Sequence, residues 1–205
     1  MIYETTALVL VEEFAHRVLN EYTHAIADLT LAARSTEDTV VRRRLLAAAD
    51  RLHAHALAHR ALAMPRADVH CDVAEYMSGV CAAVANALSW EAGVQLQIGD
   101  LEVIWPGERC WRLALIVSEL IHNAARHGGR NHTIAVALMT AGPDLICRVS
   151  NEGPCSPSSN PGRGRRVVAA LAAEIGGHAD WQFTASGACA WVAAPLNAPR
   201  RDPRL

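Results

Sequence analysis

Residues 113–129 read LALIVSELIHNAARHGG, and the rest of the chain is understood from this stretch outward. Leu113, Ile116, Val117 and Leu120 recur at three- and four-residue spacing, which marks one apolar helix face. The helix covers about 108–127 and is opened by Pro106-Gly107-Glu108. Glu119 and Asn123 are four residues apart and project together from the other face. A carboxylate and an amide one turn apart offer oxygen ligands suited to Mg²⁺ and its waters. On an isolated helix such a pair is ordinary solvated surface, so its meaning depends on its neighbours.

Two later stretches supply those neighbours. VSNEGP, 149–154, places Asn151 where a strand ends and Gly153-Pro154 in a tight turn, a position from which a polar side chain can meet a ligand. GRGRRVVAALAAEIGG, 162–177, opens a helix of about 164–175 on Gly162 and Gly164, among Arg163, Arg165 and Arg166, and closes it at Gly176-Gly177. Glycines at a helix N-terminus let backbone N–H groups approach phosphate, and the helix dipole favours the anion. The stretch is neither of the common nucleotide signatures. G-x-x-x-x-G-K-[ST] is absent, and Val167 stands where a dinucleotide fingerprint needs its third glycine.

Around these stretches the pattern predicts a helix over 72–90. Strands are expected at 94–98, 102–104, 133–139, 145–149, 179–184 and 188–194, with a turn at 141–144. That is an α/β sandwich, with a mixed sheet on one side and helices on the other. Upstream the pattern is purely helical. Val11, Ala15, Val18, Tyr22, Ala25, Leu29 and Ala32 form a heptad-like seam over 5–34. Ser35–Asp38 turns the chain, with Ser35 or Thr36 as the N-cap. A second helix runs to about Ala63 on Val41, Leu45, Ala48, Leu52 and Ala56. The two helices make an antiparallel hairpin, and a second copy would close it into a four-helix bundle, hence a homodimer. Met64–Asp68 breaks the pattern. The expected organisation is a hairpin at 1–65, an α/β domain at 68–196 and a disordered Pro/Arg-rich tail at 197–205.

Composition narrows the class. The 205 residues are 51% hydrophobic and 20% charged, too apolar for a disordered chain. A net charge of −2 gives no field for nucleic acid or an anionic membrane. No apolar run reaches the ~18 residues of a membrane helix. The first residues carry acids where a signal peptide carries bases, so a soluble cytoplasmic protein is expected. The six cysteines are singly spaced without C-x-x-C and read mostly as buried small hydrophobes. His55 and His59, with His53 nearby, are spaced to share a metal ion, but no third ligand follows at a defined spacing. A polar helix face is the simpler reading.

In this order and spacing, the three stretches resemble the N, G1 and G2 boxes of the histidine kinase ATP-binding domain, the Bergerat fold, over about 70–196. The resemblance implies that Asn123 binds the Mg²⁺ of ATP, with support from Glu119. It implies that Arg126 and His127 lie near the phosphates, that Asn151 and Gly153 form the base-binding G1 box, and that Gly162 and Gly164 form the nucleotide lid. The G1 pattern is D-x-G-x-G. Asn151 takes the aspartate's place, which forfeits a charge-assisted hydrogen bond worth about 1–2 kcal/mol. Cys155 takes the place of the second glycine, and the connection 155–161 makes a short lid.

Residues 13–20, EFAHRVLN, resemble the phosphoacceptor box of the HisKA_2 and HWE histidine kinases, with its H-R-V-x-N core. By that resemblance His16 is the phosphoacceptor. Asn20 lies one turn below, Arg17 steadies phosphoryl charge and Glu13 orients the ring. The chemistry suits the residue, since a neutral imidazole is a nucleophile at neutral pH. Ser118 stands where the HWE N-box histidine belongs, and W-x-E is absent, so HisKA_2 is the nearer match. The implied function is two-component signalling: ATP-dependent autophosphorylation of His16, then transfer to a response-regulator receiver aspartate. The chain is also similar to dimeric, kinase-derived (ChpT-like) histidine phosphotransferases, which relay phosphate between receiver domains without ATP. The altered G1 box fits that alternative, whereas Glu119, Asn123 and the G2 glycines fit the kinase. A non-catalytic dimeric regulator is the third reading.

Overall fold

The computed structural model describes residues 2–66, 68–88, 93–99, 101–127, 133–152 and 162–197, with side chains from Glu13 onward. Gly153, Cys155 and the tail from 198 lie outside the described residues. The chain divides into two compact units, Met1–Met64 and Pro65–Leu205.

The first unit is a hairpin of α1 (Ile2–Ser35) and α2 (Thr39–Ala61). Its antiparallel sense is set by Arg42 Nε donating to the Ala33 carbonyl at 3.2 Å and by the Tyr22 hydroxyl meeting His59 Nε2 at 3.5 Å. The cap differs from expectation. Asp38, not Ser35 or Thr36, is the N-cap, and its carboxylate accepts from the N–H groups of Val40 and Val41. The other two side chains are used locally: Ser35 Oγ donates to the Ala32 carbonyl and Thr36 Oγ1 accepts from the Asp38 N–H. The seam also drifts. Ala33 is buried while Ala32 is exposed, because a straight helix of 3.6 residues per turn outruns a seven-residue repeat. Val41, expected in the stripe of α2, is exposed.

The second unit contains β1 (His70–Asp72), α3 (Val73–Leu88), β2 (Gly93–Ile98), β3 (Ile104–Pro106), α4 (Gly107–His127), β4 (Thr133–Ala141), β5 (Asp144–Glu152), α5 (Arg163–Glu174), β6 (His178–Thr184) and β7 (Gly187–Pro195). Five strands form one mixed sheet in the order β2-β4-β5-β7-β6, in which only the β2–β4 pair is parallel. The strand expected at 102–104 is instead β3. It pairs with the unforeseen β1 in a separate two-stranded sheet. Three residues carry too little alternation to be read as a strand; β1 and β3 exist because they pair with each other.

The inner sheet face is written in the register. Ile134, Val136 and Leu138 of β4 face Asn151, Val149 and Cys147 of β5, and all six are buried. Against them pack Leu113, Ile116, Val117, Leu120 and Ile121 of α4, also buried. Full burial of each such aliphatic side chain contributes about 1.5–3 kcal/mol, so this layer fixes α4 against the sheet. Arg109 ties the far end together. Its guanidinium stacks 3.8 Å from the Trp105 ring centroid and donates to the carbonyls of Ile175, Pro195 and Leu196.

Candidate functional site

The packed face of α4 dictates where its polar face goes. With Leu120 and Ala124 against the sheet, Glu119 and Asn123 look along the gap between α4 and α5. Asn123 Nδ2 donates to Glu119 Oε1 at 3.1 Å, and among the described residues no donor meets the Asn123 amide oxygen, the acceptor atom of that side chain. The start of α5 closes on this pair. A β-carbon built on Gly164 would overlap the Glu119 carboxylate, whereas one on Gly162 meets nothing within 4 Å. The two glycines therefore differ: Gly164 lies close under the Glu119 side chain, and Gly162 leaves the helix N-terminus open.

A cavity of about 350 Å³ joins these groups. It is lined by Glu119, Leu120, Asn123, Ala124, Arg126 and His127 of α4, by Val149 and Asn151 of β5, and by Gly162 with Arg163, Gly164 and Arg165 of α5. Trp181 and Phe183 of β6 and Ala188, Cys189 and Ala190 of β7 complete it. The residues anticipated from three separate stretches thus line one space, apart from Gly153, which lies outside the described residues. Asn151 departs from expectation in one respect. It sits inside β5 rather than beyond the strand's end, paired with Ile134 and Ala188, and is 7% exposed. The strand runs further because β7 continues to pair with it as far as Glu152.

Arg165 also departs from a simple phosphate-facing role. Its guanidinium lies 4.5 Å from the Phe183 ring centroid and 5.4 Å from that of Trp181. Such stacking is worth about 0.5–1 kcal/mol at exposed sites, enough to bias its rotamer. The β6 and β7 lining went unread in the sequence. Alternation in 181–190 signals strands, but only the register shows that these side chains share a floor with Asn151. Burial pushes the Cys189 thiol up, against the opposing influence of Arg148, and alternation along β7 turns it to the sheet face opposite Ala188 and Ala190.

In the hairpin unit, His16 and Asn20 are exposed and one turn apart on α1. Arg17 Nε bonds Glu13 Oε1 at 2.9 Å, with both side chains more than half exposed. Glu13 thus holds Arg17 in the i,i+4 geometry that favours such an ion pair. His59 contacts Tyr22 within the hairpin, with ring centroids 5.5 Å apart. Among the described residues no group of three His, Cys, Asp or Glu side chains is arranged to hold a metal ion.

A helical hairpin followed by a mixed sheet covered by helices is a fold shared with solved histidine kinase domains. The HisKA_2 histidine kinase family model matches residues 13–88, starting three residues before His16. The sensor histidine kinase PdtaS of Mycobacterium tuberculosis is 29% identical over 118 residues, which cover 57% of this chain and 23% of PdtaS. The chain thus spans under a quarter of that curated relative's length. Among solved structures, the histidine kinase domain of the Erythrobacter litoralis EL346 blue-light activated histidine kinase superposes with a TM-score of 0.58 at 18% identity. That match covers 86% of this chain and 94% of the other. A bacterial phosphotransferase superposes with a TM-score of 0.62 at 13% identity, covering 94% and 97%. The phosphoacceptor stretch 13–20 thus lies inside the matched histidine kinase segment, and the fold is shared with solved histidine kinase domains. No helix among the described residues is long and apolar enough to cross a membrane.

Proposed function

We propose that this chain is the catalytic core of a two-component histidine kinase. It binds Mg-ATP in the α4–α5 cavity, is phosphorylated on His16 and passes the phosphoryl group to an aspartate of a response-regulator receiver domain. The observation that carries this reading is the single cavity lined by Glu119, Asn123, Arg126, His127, Asn151, Gly162 and Gly164. The donor set fits the ligand. Glu119 and the Asn123 amide oxygen suit a hydrated Mg²⁺, while Arg126, Arg163 and the open N-terminus of α5 suit phosphate. Asn151 offers a buried hydrogen-bonding edge to the base. When bound, Mg²⁺ neutralises charge that develops on the transferring group.

In the transfer, a ring nitrogen of His16 attacks the γ-phosphorus and the bond to the ADP oxygen breaks. The ring gives up its N–H proton to solvent. A receiver carboxylate oxygen then attacks the same phosphorus, the P–N bond breaks as the ring takes a proton back from solvent, and His16 leaves as neutral imidazole. Exposure of His16 and Asn20 suits access by both donors and acceptors. We further propose a cytoplasmic homodimer. Phe14, Leu31, Val40, Val41, Leu46 and Leu57 are exposed apolar side chains on the hairpin, a surface that a second copy would cover.

One observation favours a second reading, a histidine phosphotransferase that takes phosphate from one receiver and gives it to another. A bacterial phosphotransferase shares this fold over 94% of the chain and 97% of its own length. The deciding experiment incubates the purified chain with Mg²⁺ and γ-labelled ATP beside His16→Ala and Asn123→Ala. Acid-labile label on the wild type alone supports the kinase. Absence of label in a folded protein overturns it, and loading of His16 by a phosphorylated receiver would then establish the phosphotransferase.

A further inference from the structure

The sheet floor of the cavity is ordered in two rows. Asn151, Ala188 and Phe183 face one another across β5, β7 and β6, and Val149, Ala190 and Trp181 form the row beside them. All six line the cavity. The middle strand contributes only alanines, so the floor is a trough about 9–10 Å across, two strand spacings wide. One wall is aromatic and already covered by the Arg165 guanidinium. The other wall is Val149 and Asn151. Asn151 is the one polar side chain of the floor, and it is buried. A flat, uncharged heterocycle fits this trough, lying on Ala188 and Ala190 with its edge at Asn151. The cationic groups of α4 and α5 are left for its phosphates.

We propose that the trough seats a purine ring whose six-position is read by the Asn151 amide, and that the site takes 6-amino and 6-oxo purine nucleotides alike. This rests on the nucleotide reading of the cavity. An amide carries both an acceptor and a donor, and a half-turn of its terminal torsion exchanges them. Among the described residues the half-turn costs Nδ2 a single long bond, 3.5 Å to the Glu152 carbonyl. The oxygen can accept from a 6-amino group, and the NH₂ can donate to a 6-oxo group. A carboxylate at this place would accept only, and would repel the 6-oxo oxygen.

The test is equilibrium binding of Mg-ADP and Mg-GDP to the full chain and to its Asn151→Asp variant, with thermal melts as the control for folding. Wild-type dissociation constants within about tenfold of each other are expected, with a loss of GDP affinity of about tenfold or more and retained ADP affinity in the variant. ADP binding with GDP more than about a hundredfold weaker in the wild type overturns the proposal while leaving the nucleotide reading intact. An unchanged ADP-to-GDP ratio in a folded Asn151→Asp variant overturns it as well. Failure of both nucleotides to bind overturns the nucleotide reading, and this proposal with it.

Discussion

A β-carbon placed on Gly164 would overlap Oε1 of Glu119 and stand 3.1 Å from Nδ2 of Asn123. The first turn of α5 and the polar face of α4 therefore meet closely, and a side chain at 164 fits only if the Glu119 carboxylate swings aside. Gly164→Ala obliges the Glu119 carboxylate to swing aside, at a cost of about 0.5–1.5 kcal/mol. The clash is specific, so Glu119→Ala should relieve it. A double-mutant cycle by urea unfolding is expected to show a coupling of about 0.5–1 kcal/mol between the two positions. Additive single effects would show that α5 sits there for another reason.

The sequence contained the α4 half of this relationship in full. Glu119 and Asn123 are one turn apart on a helix whose apolar stripe is unmistakable, and helical periodicity is local. Asn151 was legible as a residue of interest, but its depth in β5 was not, because strand length depends on the partner β7. The aromatic wall of Trp181 and Phe183 was invisible for the same reason: a floor spanning three strands is set by register, which involves residues far apart in sequence. The Asp38 cap was misread for a different cause. Ser35, Thr36 and Asp38 are all competent caps, and the choice among them turns on which one has the extended backbone of the position before the helix.

Arg109 should be among the costliest residues to replace in the second unit. It is 7% exposed, its guanidinium serves three backbone carbonyls, and burial lowers its pKa without removing its charge. Arg109→Met keeps much of the stem but leaves the Ile175 and Pro195 carbonyls without that donor. A loss of about 2–4 kcal/mol is expected, a drop of roughly 10 °C in melting temperature for a unit of this size. A change below about 0.5 kcal/mol, the range of ordinary surface substitutions, would mean that water replaces the guanidinium without loss.

The Arg17–Glu13 pair has the opposite character. Both side chains are largely exposed, at 75% and 55%, and such bridges contribute about 0–1 kcal/mol. Glu13→Ala is expected to leave unfolding unchanged within about 0.5 kcal/mol. If the bridge holds Arg17 beside His16 for phosphoryl transfer, the same substitution slows labelling of His16 severalfold. Arg17→Ala should slow it at least as much. Unchanged labelling in both variants would remove Glu13 and Arg17 from the transfer step.

The buried thiols predict how stability falls in alkali. Burial pushes Cys81 up to about 11, and burial with the neighbouring Cys71 pushes Cys110 up to about 12, both from an ordinary value of 9.0. Below pH 9 both states keep these protons, so the stabilisation is fully present. Above pH 9 the unfolded chain releases them while the folded chain does not, so stability declines with rising pH until each folded thiol ionises. For Cys81 the decline spans pH 9 to about 11, and for Cys110 it extends to about 12. By pH 10.5 each thiol accounts for a loss of about 2 kcal/mol. Urea unfolding at pH 8 and pH 10.5 measures the slope, and Cys81→Ala should flatten it by about that amount after correction for its own cost at pH 8. An unchanged slope in that variant would show that Cys81 titrates in the folded chain as it does in the unfolded one, and that α3 admits water at this position.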